Sequence, residues 1–256
     1  MATDFTAAIT DDTPVVGNWV TFPEPAVAEL FAALGFDFVT VDMEHSAMTL
    51  ETTLDAIRAV DAAADDAAAI VRLPGHDPDR IKRVLDAGVD GIMAPMVETP
   101  AEAEALVEAC RYPPAGRRGV GPGRGSDYGV TLPETIAAGE DAFTLILQIE
   151  SPEGVDNARE IAATPGVDAL FVGPTDLTVA MGGLDESDAE FLDAVESVLD
   201  SAAATDTPVG TFAVGDDSIE RWGERAFDFL AVGFDAHHLV QDAERARATY
   251  DSLTEQ

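Results

Sequence analysis

Short apolar runs and helical patterns alternate eight times along this chain, and few architectures accept that rhythm. The sequence predicts strands over Val15–Val20, Phe38–Asp42, Ala69–Leu73, Val89–Pro95, Phe143–Ile149, Val167–Val172, Pro208–Val214 and Phe227–Val232. Helical patterns lie between them. One runs from Pro25 to Leu34 and is closed by Gly35, a good residue for the position after a helix. Another runs from Leu50 to Ala64, with Leu54, Ile57 and Val60 on one face. A third starts at Pro78 behind the N-cap candidate Asp77 and continues through Ile81, Val84 and Leu85 to Gly88. Further helices are expected from Pro100 to Tyr112, Leu132 to Ala138, Ser151 to Ala163, Ala189 to Ala204, Ser218 to Ala226 and Ala236 to Leu253. Strand–helix repetition of this kind implies right-handed crossovers and a parallel sheet. Eight repeats in 256 residues is the usual size of a closed (β/α)8 TIM barrel, so the expectation is an α/β fold with a single domain over residues 1–256. A doubly wound open sheet is the alternative, but no G-x-G-x-x-G follows the first strand.

In such a barrel the chemistry collects where strands end. The second predicted strand ends in Thr40-Val41-Asp42-Met43-Glu44-His45-Ser46. Two carboxylates and an imidazole at one strand end are expensive to bury unless they face water, a metal or each other. Arg72 ends the third strand, Glu150 follows the fifth and Asp176 follows the sixth. All fall on the same rim. Each alone has a plain reading, Arg72 as a surface ion pair and Glu150 and Asp176 as helix caps. Together they are complementary. Two carboxylates from adjacent strands suit Mg²⁺ or Mn²⁺ with waters and a chelating ligand, whereas zinc would want clustered Cys or paired His. The neighbours His237 and His238 do not share a helix face, and a solvated surface is their expected place.

Composition narrows the partners. The formal net charge is −35, which repels nucleic acid and anionic membranes. Of the 14 lysines and arginines only Lys82 is lysine, leaving 13 arginines. Regular apolar segments and 46% hydrophobic residues argue for a folded protein rather than disorder. We therefore expect a halophile's cytoplasmic protein, because salt near 1 M shortens the Debye length to about 3 Å and screens the self-repulsion. Cys110 is the sole cysteine, so no intrachain disulfide forms, and a buried inert thiol is expected. The amino terminus, with Asp4, Asp11 and Asp12, does not read as a signal peptide, and no stretch is apolar enough to span a membrane. Between Arg117 and Gly129 lies a glycine-rich irregular segment, long enough to suggest function.

Several of these pieces, taken in order, resemble the HpcH/HpaI aldolases. They are Asp42-Met43-Glu44-His45, Val71-Arg72, Leu85-Asp86-Ala87-Gly88, Arg111-Tyr112-Pro113-Pro114-Ala115-Gly116-Arg117-Arg118-Gly119, Gln148-Ile149-Glu150 and Phe171-Val172-Gly173-Pro174-Thr175-Asp176-Leu177. The resemblance runs from about Gly17 to Asp235. It implies a class II, metal-dependent aldolase that cleaves a 2-keto-3-deoxy or 4-hydroxy-2-keto acid to pyruvate and an aldehyde. It also implies that Glu150 and Asp176 hold Mg²⁺ or Mn²⁺, with Co²⁺ as an alternative. Arg72 would stabilise the enolate, and His45, oriented by Asp42, would be the acid/base through a metal-bound water. Gln148 and the backbone of Gly173, Pro174 and Thr175 would bind the keto acid. Trp19, Phe212 and the Gly121–Tyr128 loop would shape the aldehyde pocket. Asp86 would reach a neighbouring subunit's site in a trimer or hexamer. Many relatives carry Ala where this chain has Thr175, which would alter packing around the carboxylate.

Enolate chemistry independently needs either a Lewis acid or a Schiff-base lysine. Lys82 falls in a predicted helix beside Ile81 and Arg83, away from the rim, so the metal route is preferred. Alternatives are a related carbon–carbon lyase or oxaloacetate decarboxylase on the same site, and a non-catalytic ligand-binding barrel. A phosphate-handling barrel is disfavoured because its usual site follows strands seven and eight, not the Gly121–Gly125 loop.

Overall fold

The computed structural model describes residues 5–11, 13–64, 66–183 and 185–254. Asp4 and Asp12, read above as part of an acidic amino terminus, lie outside them. The elements in order are α1 (Phe5–Thr10), β1 (Val15–Val20), α2 (Pro25–Ala33), β2 (Phe38–Asp42), α3 (Leu50–Ala63), β3 (Ala68–Arg72), α4 (Pro78–Asp86), β4 (Gly91–Ala94), α5 (Pro100–Cys110), α6 (Leu132–Ala138), β5 (Thr144–Ile149), α7 (Pro152–Asp156), α8 (Ala158–Ala162), β6 (Ala169–Val172), α9 (Pro174–Ala180), α10 (Ala189–Ala203), β7 (Val209–Ala213), α11 (Asp216–Gly223), β8 (Phe229–Phe234) and α12 (Asp235–Thr254). The strands form a closed barrel in sequence order, every pair parallel, with β8 returning to β1. The expected (β/α)8 barrel is the observed fold.

The two-residue period of a strand decides what lies inside the barrel and what lies outside. Val39 and Val41, Val71, Ile92, Leu145 and Leu147 point outward and pack with Ile57, Val60, Ile81 and Leu106 of the surrounding helices. Phe38, Ile70, Met93, Ile146, Phe171 and Phe229 point inward and fill the barrel's middle. Burying a side chain of that size contributes roughly 1.5–3 kcal/mol. Glycines make the room: a Cβ on Gly17 would lie 2.4 Å from the Phe38 ring, and one on Gly210 would lie 2.3 Å from Phe229. Two residues beyond this apolar layer, the same inward face becomes polar. Ile70 leads to Arg72 and Ile146 to Gln148, and β2 delivers Asp42 opposite Arg72 in register.

The opposite end of the barrel is stoppered by α1. Phe5 meets Phe38 and Phe229 edge-on with ring centroids 5.3 and 5.8 Å away, and Ile9 joins the same cluster. Thr6 shares a 2.7 Å hydroxyl hydrogen bond with Thr144 at the start of β5. The sequence reading began its elements at Val15 and missed this helix. Six residues with two apolar positions carry too little periodicity to register, and only the barrel mouth gives them a partner. The helix expected from Ser151 to Ala163 is interrupted at Asn157, whose side-chain amide donates to the Glu98 carbonyl at 2.7 Å. Among the described residues no helix is long and apolar enough to cross a membrane.

Candidate active site

The polar rim surrounds a pocket of about 440 Å³ lined by Trp19, Thr21, Asp42, His45, Arg72, Gln148, Glu150, Phe171, Gly173, Pro174, Thr175, Asp176, Phe212 and Phe234. Of the single site residues that the resemblance implied, all but Asp86 line it, whereas Glu44 and the Gly121–Tyr128 loop do not.

Asp42 is the anchor. It is 1% exposed and accepts from Arg72 Nε at 2.9 Å and Arg72 Nη2 at 2.6 Å, a two-pronged pair of the strong kind. Its Oδ1 also accepts from the backbone N–H of Glu44 at 2.9 Å and of His45 at 3.4 Å, while Ser46 Oγ donates to its carbonyl. These bonds curl residues 43–46 into a fixed turn directly after β2. Burial pushes the Asp42 carboxyl up, but Arg72 and the two N–H groups outweigh it, and the net shift is downward. Arg72 lies against the Trp19 ring, its Cζ 4.9 Å from the centroid. Its third carboxylate-facing nitrogen, Nη1, pairs with Glu44 Oε2 at 2.9 Å.

Here the geometry departs from expectation. Asp42 touches His45 through the backbone and not through the imidazole. The His45 side chain is 65% exposed, and the carboxylate nearest its Nε2 is Glu44 Oε2, 3.9 Å away. Asp42 has spent its lone pairs on Arg72 and the turn, so the carboxylate beside the ring comes from the residue next to it.

Glu150 stands on the pocket floor, 2% exposed. Its Oε1 accepts from the Met96 N–H at 2.7 Å, and its Oε2 is buried without a hydrogen-bond partner. Burial, together with the nearby charges of Asp176 and Glu44, raises this carboxyl to about 7 against the opposing pull of the Met96 N–H and Arg72. The backbone of Gly173 presses on the same oxygen, since a Cβ there would sit 2.2 Å from Oε2. Gln148 Oε1, also buried and unpartnered, faces the same space. Two orphaned oxygens and a second carboxylate, Asp176, form a hard-oxygen donor set that fits a small divalent cation with water or ligand oxygens completing its shell. No group of three or more His, Cys, Asp or Glu is assembled for a metal among the described residues.

The segment after β6 starts α9 with Gly173 as N-cap and Pro174 at the first helical position. Gly173 donates its N–H to the Ile149 carbonyl at 3.2 Å, and Pro174 has none to give. The donors that this helix start offers the pocket are therefore the N–H groups of Thr175 and Asp176, which a glycine N-cap leaves without a side-chain acceptor. Trp19, Phe171, Phe212 and Phe234 make the apolar wall, with Trp19 and Phe212 centroids 5.3 Å apart.

Asp86 is the exception. It sits in the last turn of α4, and that helix runs back toward the barrel end from which the strands start. There it accepts from Arg118 Nη2 at 2.8 Å and lines a separate cavity of about 780 Å³. The Gly121–Tyr128 loop lies at this end too. Arg124 donates to the Ala87 and Gly88 carbonyls at 3.0 and 3.1 Å and pairs with Asp61, and Tyr128 accepts from Arg58 at 3.2 Å. Within one chain, neither Asp86 nor this loop reaches the pocket. Lys82 pairs with Asp79 at 2.9 Å on the outer surface of α4.

The family model for HpcH/HpaI aldolase/citrate lyase matches residues 16–242. The chain is 41% identical over 249 residues to a hydroxypyruvate/pyruvate aldolase of Chromohalobacter salexigens, covering 96% of each. It is 39% identical over 241 residues to a 4-hydroxy-2-oxovalerate aldolase of Novosphingobium aromaticivorans, covering 93% of this chain and 91% of that one. In three dimensions it is similar to an HpcH/HpaI aldolase/citrate lyase family protein of Burkholderia cenocepacia, with a TM-score of 0.92, 32% identity and coverage of 96% and 98%.

Proposed function

The chain belongs to the HpcH/HpaI aldolase/citrate lyase family, and from that premise we propose how its pocket works. It is a carbon–carbon lyase of the pyruvate aldolase class. Its substrate is a 4-hydroxy-2-keto or 2-keto-3-deoxy acid, cleaved between C3 and C4. The observation that carries this reading is the floor of the pocket, where buried Glu150 and Gln148 each turn an unpartnered oxygen toward the space that Arg72 borders.

The family generally uses a divalent metal. Glu150 and Asp176 would hold Mg²⁺ or Mn²⁺, and the bound cation would supply positive charge against the enolate that cleavage creates. The protein's own groups do the rest. The Thr175 and Asp176 N–H groups receive the substrate carboxylate. Arg72, fixed by Asp42, donates to the C2 oxygen as it gains charge. His45 at the pocket mouth takes the proton of the C4 hydroxyl. The C3–C4 bonding pair then moves to C2–C3, the aldehyde separates, and a proton returned to C3 completes pyruvate. Trp19, Phe171, Phe212 and Phe234 exclude water from the reacting carbon and shape the aldehyde's place. Asp42 is a positioning residue for Arg72 and for the turn that carries His45.

The assembly is proposed to be a homo-oligomer, trimer or hexamer. Apart from Asp251, the buried and half-buried residues described in α12 lie in its first turn, and Leu239, Val240, Tyr250 and Leu253 stay exposed along it. Light scattering during size exclusion tests this, and a monomer at micromolar concentration would refute it. The test of function is pyruvate release from a panel of 4-hydroxy-2-keto and 2-keto-3-deoxy acids in molar KCl, the salt of the cytoplasm for which this surface is suited. Release that EDTA stops and Mg²⁺ or Mn²⁺ restores is the expected result. A folded, metal-loaded protein that releases pyruvate from none of them overturns the reading.

A further inference from the structure

We propose that Glu44 is a positioning residue that couples Arg72 to His45, exchanging one for the other as the substrate's bond breaks. The inference rests on the aldolase reading above. Glu44 does not line the pocket. It stands behind two residues that do. Its Oε2 is 2.9 Å from Arg72 Nη1 and 3.9 Å from His45 Nε2. One carboxylate oxygen therefore bridges the group that meets the C2 oxygen and the group that meets the C4 hydroxyl.

The local fold leaves this oxygen little choice. The Glu44 and His45 N–H groups are both tied to Asp42 Oδ1, and Ser46 Oγ, which accepts from the Met48 N–H at 3.0 Å, is tied to the Asp42 carbonyl. The turn throws the Glu44 side chain back toward β3, where it is only 17% exposed. Arg72 is thus held between two carboxylates of unequal grip. Asp42 takes Nε and Nη2 together and is almost wholly buried. Glu44 takes Nη1 alone, at the side nearer water. Of the two, Glu44 is the one that can let go.

The chemistry gives it a reason to. In the resting pocket Arg72 is the nearest cation and Glu44 pairs with it. During cleavage the proton of the C4 hydroxyl moves to His45, the C3–C4 pair becomes the C2=C3 bond, and the carbonyl pair settles on the C2 oxygen. Positive charge has appeared on the imidazole and negative charge beside Arg72. The guanidinium turns Nη1 to the new oxyanion, and the freed carboxylate closes about 1 Å, the gap between a 3.9 Å separation and hydrogen-bond distance, onto the imidazolium. When the imidazolium gives its proton to C3, the pairs revert. The opposing charges that the reaction creates are each met by a group whose previous partner was the other's.

The test compares the parent with Glu44→Gln, which keeps the shape and removes the charge, and with Glu44→Asp, which keeps the charge and shortens the reach. Both are assayed with bound Mn²⁺ for cleavage, and substrate-free by NMR of ¹⁵N-labelled arginine and histidine. Glu44→Gln is expected to lower kcat 10- to 100-fold with KM for the keto acid within threefold. The Arg72 Nη1 and His45 ring signals should move, and the Arg72 Nε–H signal, held by Asp42, should stay. Glu44→Asp should recover part of kcat. A kcat within twofold of the parent and unmoved ring signals would overturn the proposal. So would equal losses in both variants accompanied by a lowered Tm, which is the mark of packing. A parent without aldolase activity would sink the functional reading instead, and the NMR arm would still decide whether Glu44 bridges the two residues.

Discussion

Replacing Asp42 by Asn tests how the site is built. The substitution preserves volume and one acceptor oxygen but removes the charge opposite Arg72 and turns an N–H₂ toward groups that are all donors: Arg72 Nε and Nη2 and the N–H of Glu44. Losing one member of a buried ion pair costs about 3–5 kcal/mol, because the other charge is left in place. The lower end applies here, since Glu44 still pairs with Arg72 Nη1 and Asn keeps one oxygen. About 3 kcal/mol corresponds to a Tm lowered by roughly 6–12 °C in a barrel of this size. Scanning calorimetry of parent, Asp42→Asn, Arg72→Met and the double variant measures it. The double variant should be less destabilised than the sum of the singles, because neither charge is then orphaned. Molar salt should not erase the loss, as the pair is shielded from ions. The pH dependence has a definite sign. Asp42 is depressed in the folded state, so its contribution is complete above the ordinary carboxylate pKa and fades as pH falls through the lowered folded value. The parent's advantage over Asp42→Asn should therefore be full near neutrality and shrink only in strong acid. A Tm loss below about 2 °C near neutral pH, or strictly additive singles, would refute the account of Asp42 as the anchor.

Other expectations follow from the same geometry. Glu150→Ala should abolish Mn²⁺ binding by titration calorimetry, and equal binding by parent and variant would remove Glu150 from the ligand set. His45→Ala should lower kcat by about 10²–10⁴ while leaving Mn²⁺ affinity alone, the usual worth of an acid/base group; a loss confined to metal affinity would contradict its role. Cys110 is buried and its thiol is pushed up to about 12 by that burial, so an aromatic disulfide reagent at pH 8 should label it only after unfolding. Rapid labelling of the native protein would disprove the burial. With a formal charge of −35, the protein should melt well above its dilute-buffer temperature in molar KCl, and equal melting temperatures in both would end the salt-adapted reading.

Much of the barrel was legible because its signals are local. Apolar runs such as Leu145–Leu147 read as strands buried on both faces, and Asp77 and Ser151 mark helix starts without tertiary help. Residues at strand ends were placed correctly for the same reason: once the strand is known, its end is known. What escaped were the relations that only three dimensions settle. Nothing in Asp42-Met43-Glu44-His45 says which carboxylate faces the imidazole, because that depends on Arg72 arriving from β3 and claiming Asp42 first. Asp86 was legible as a noteworthy residue but not as one at the far end of the barrel within its own chain, since its place follows from the direction of α4 rather than from its neighbours in sequence. The N–H of Gly173 was expected to serve the ligand, and the Ile149 carbonyl takes it instead.

The stopper that α1 drives into the barrel also governs traffic. Phe5 and Ile9 fill one end of the barrel and Trp19 and Phe171 pack together at the pocket, so the pocket opens at the other end, where the strands finish. On the proposed reaction the keto-acid half of a substrate would sit beside Glu150 and Gln148, and the aldehyde half beside Phe212 and Phe234. With that placement the pocket would work as a last-in, first-out queue. In cleavage the aldehyde must depart before pyruvate, and in condensation pyruvate must be seated before any aldehyde is admitted. Product inhibition should betray that order: pyruvate competes with the cleaved acid, while the aldehyde does not.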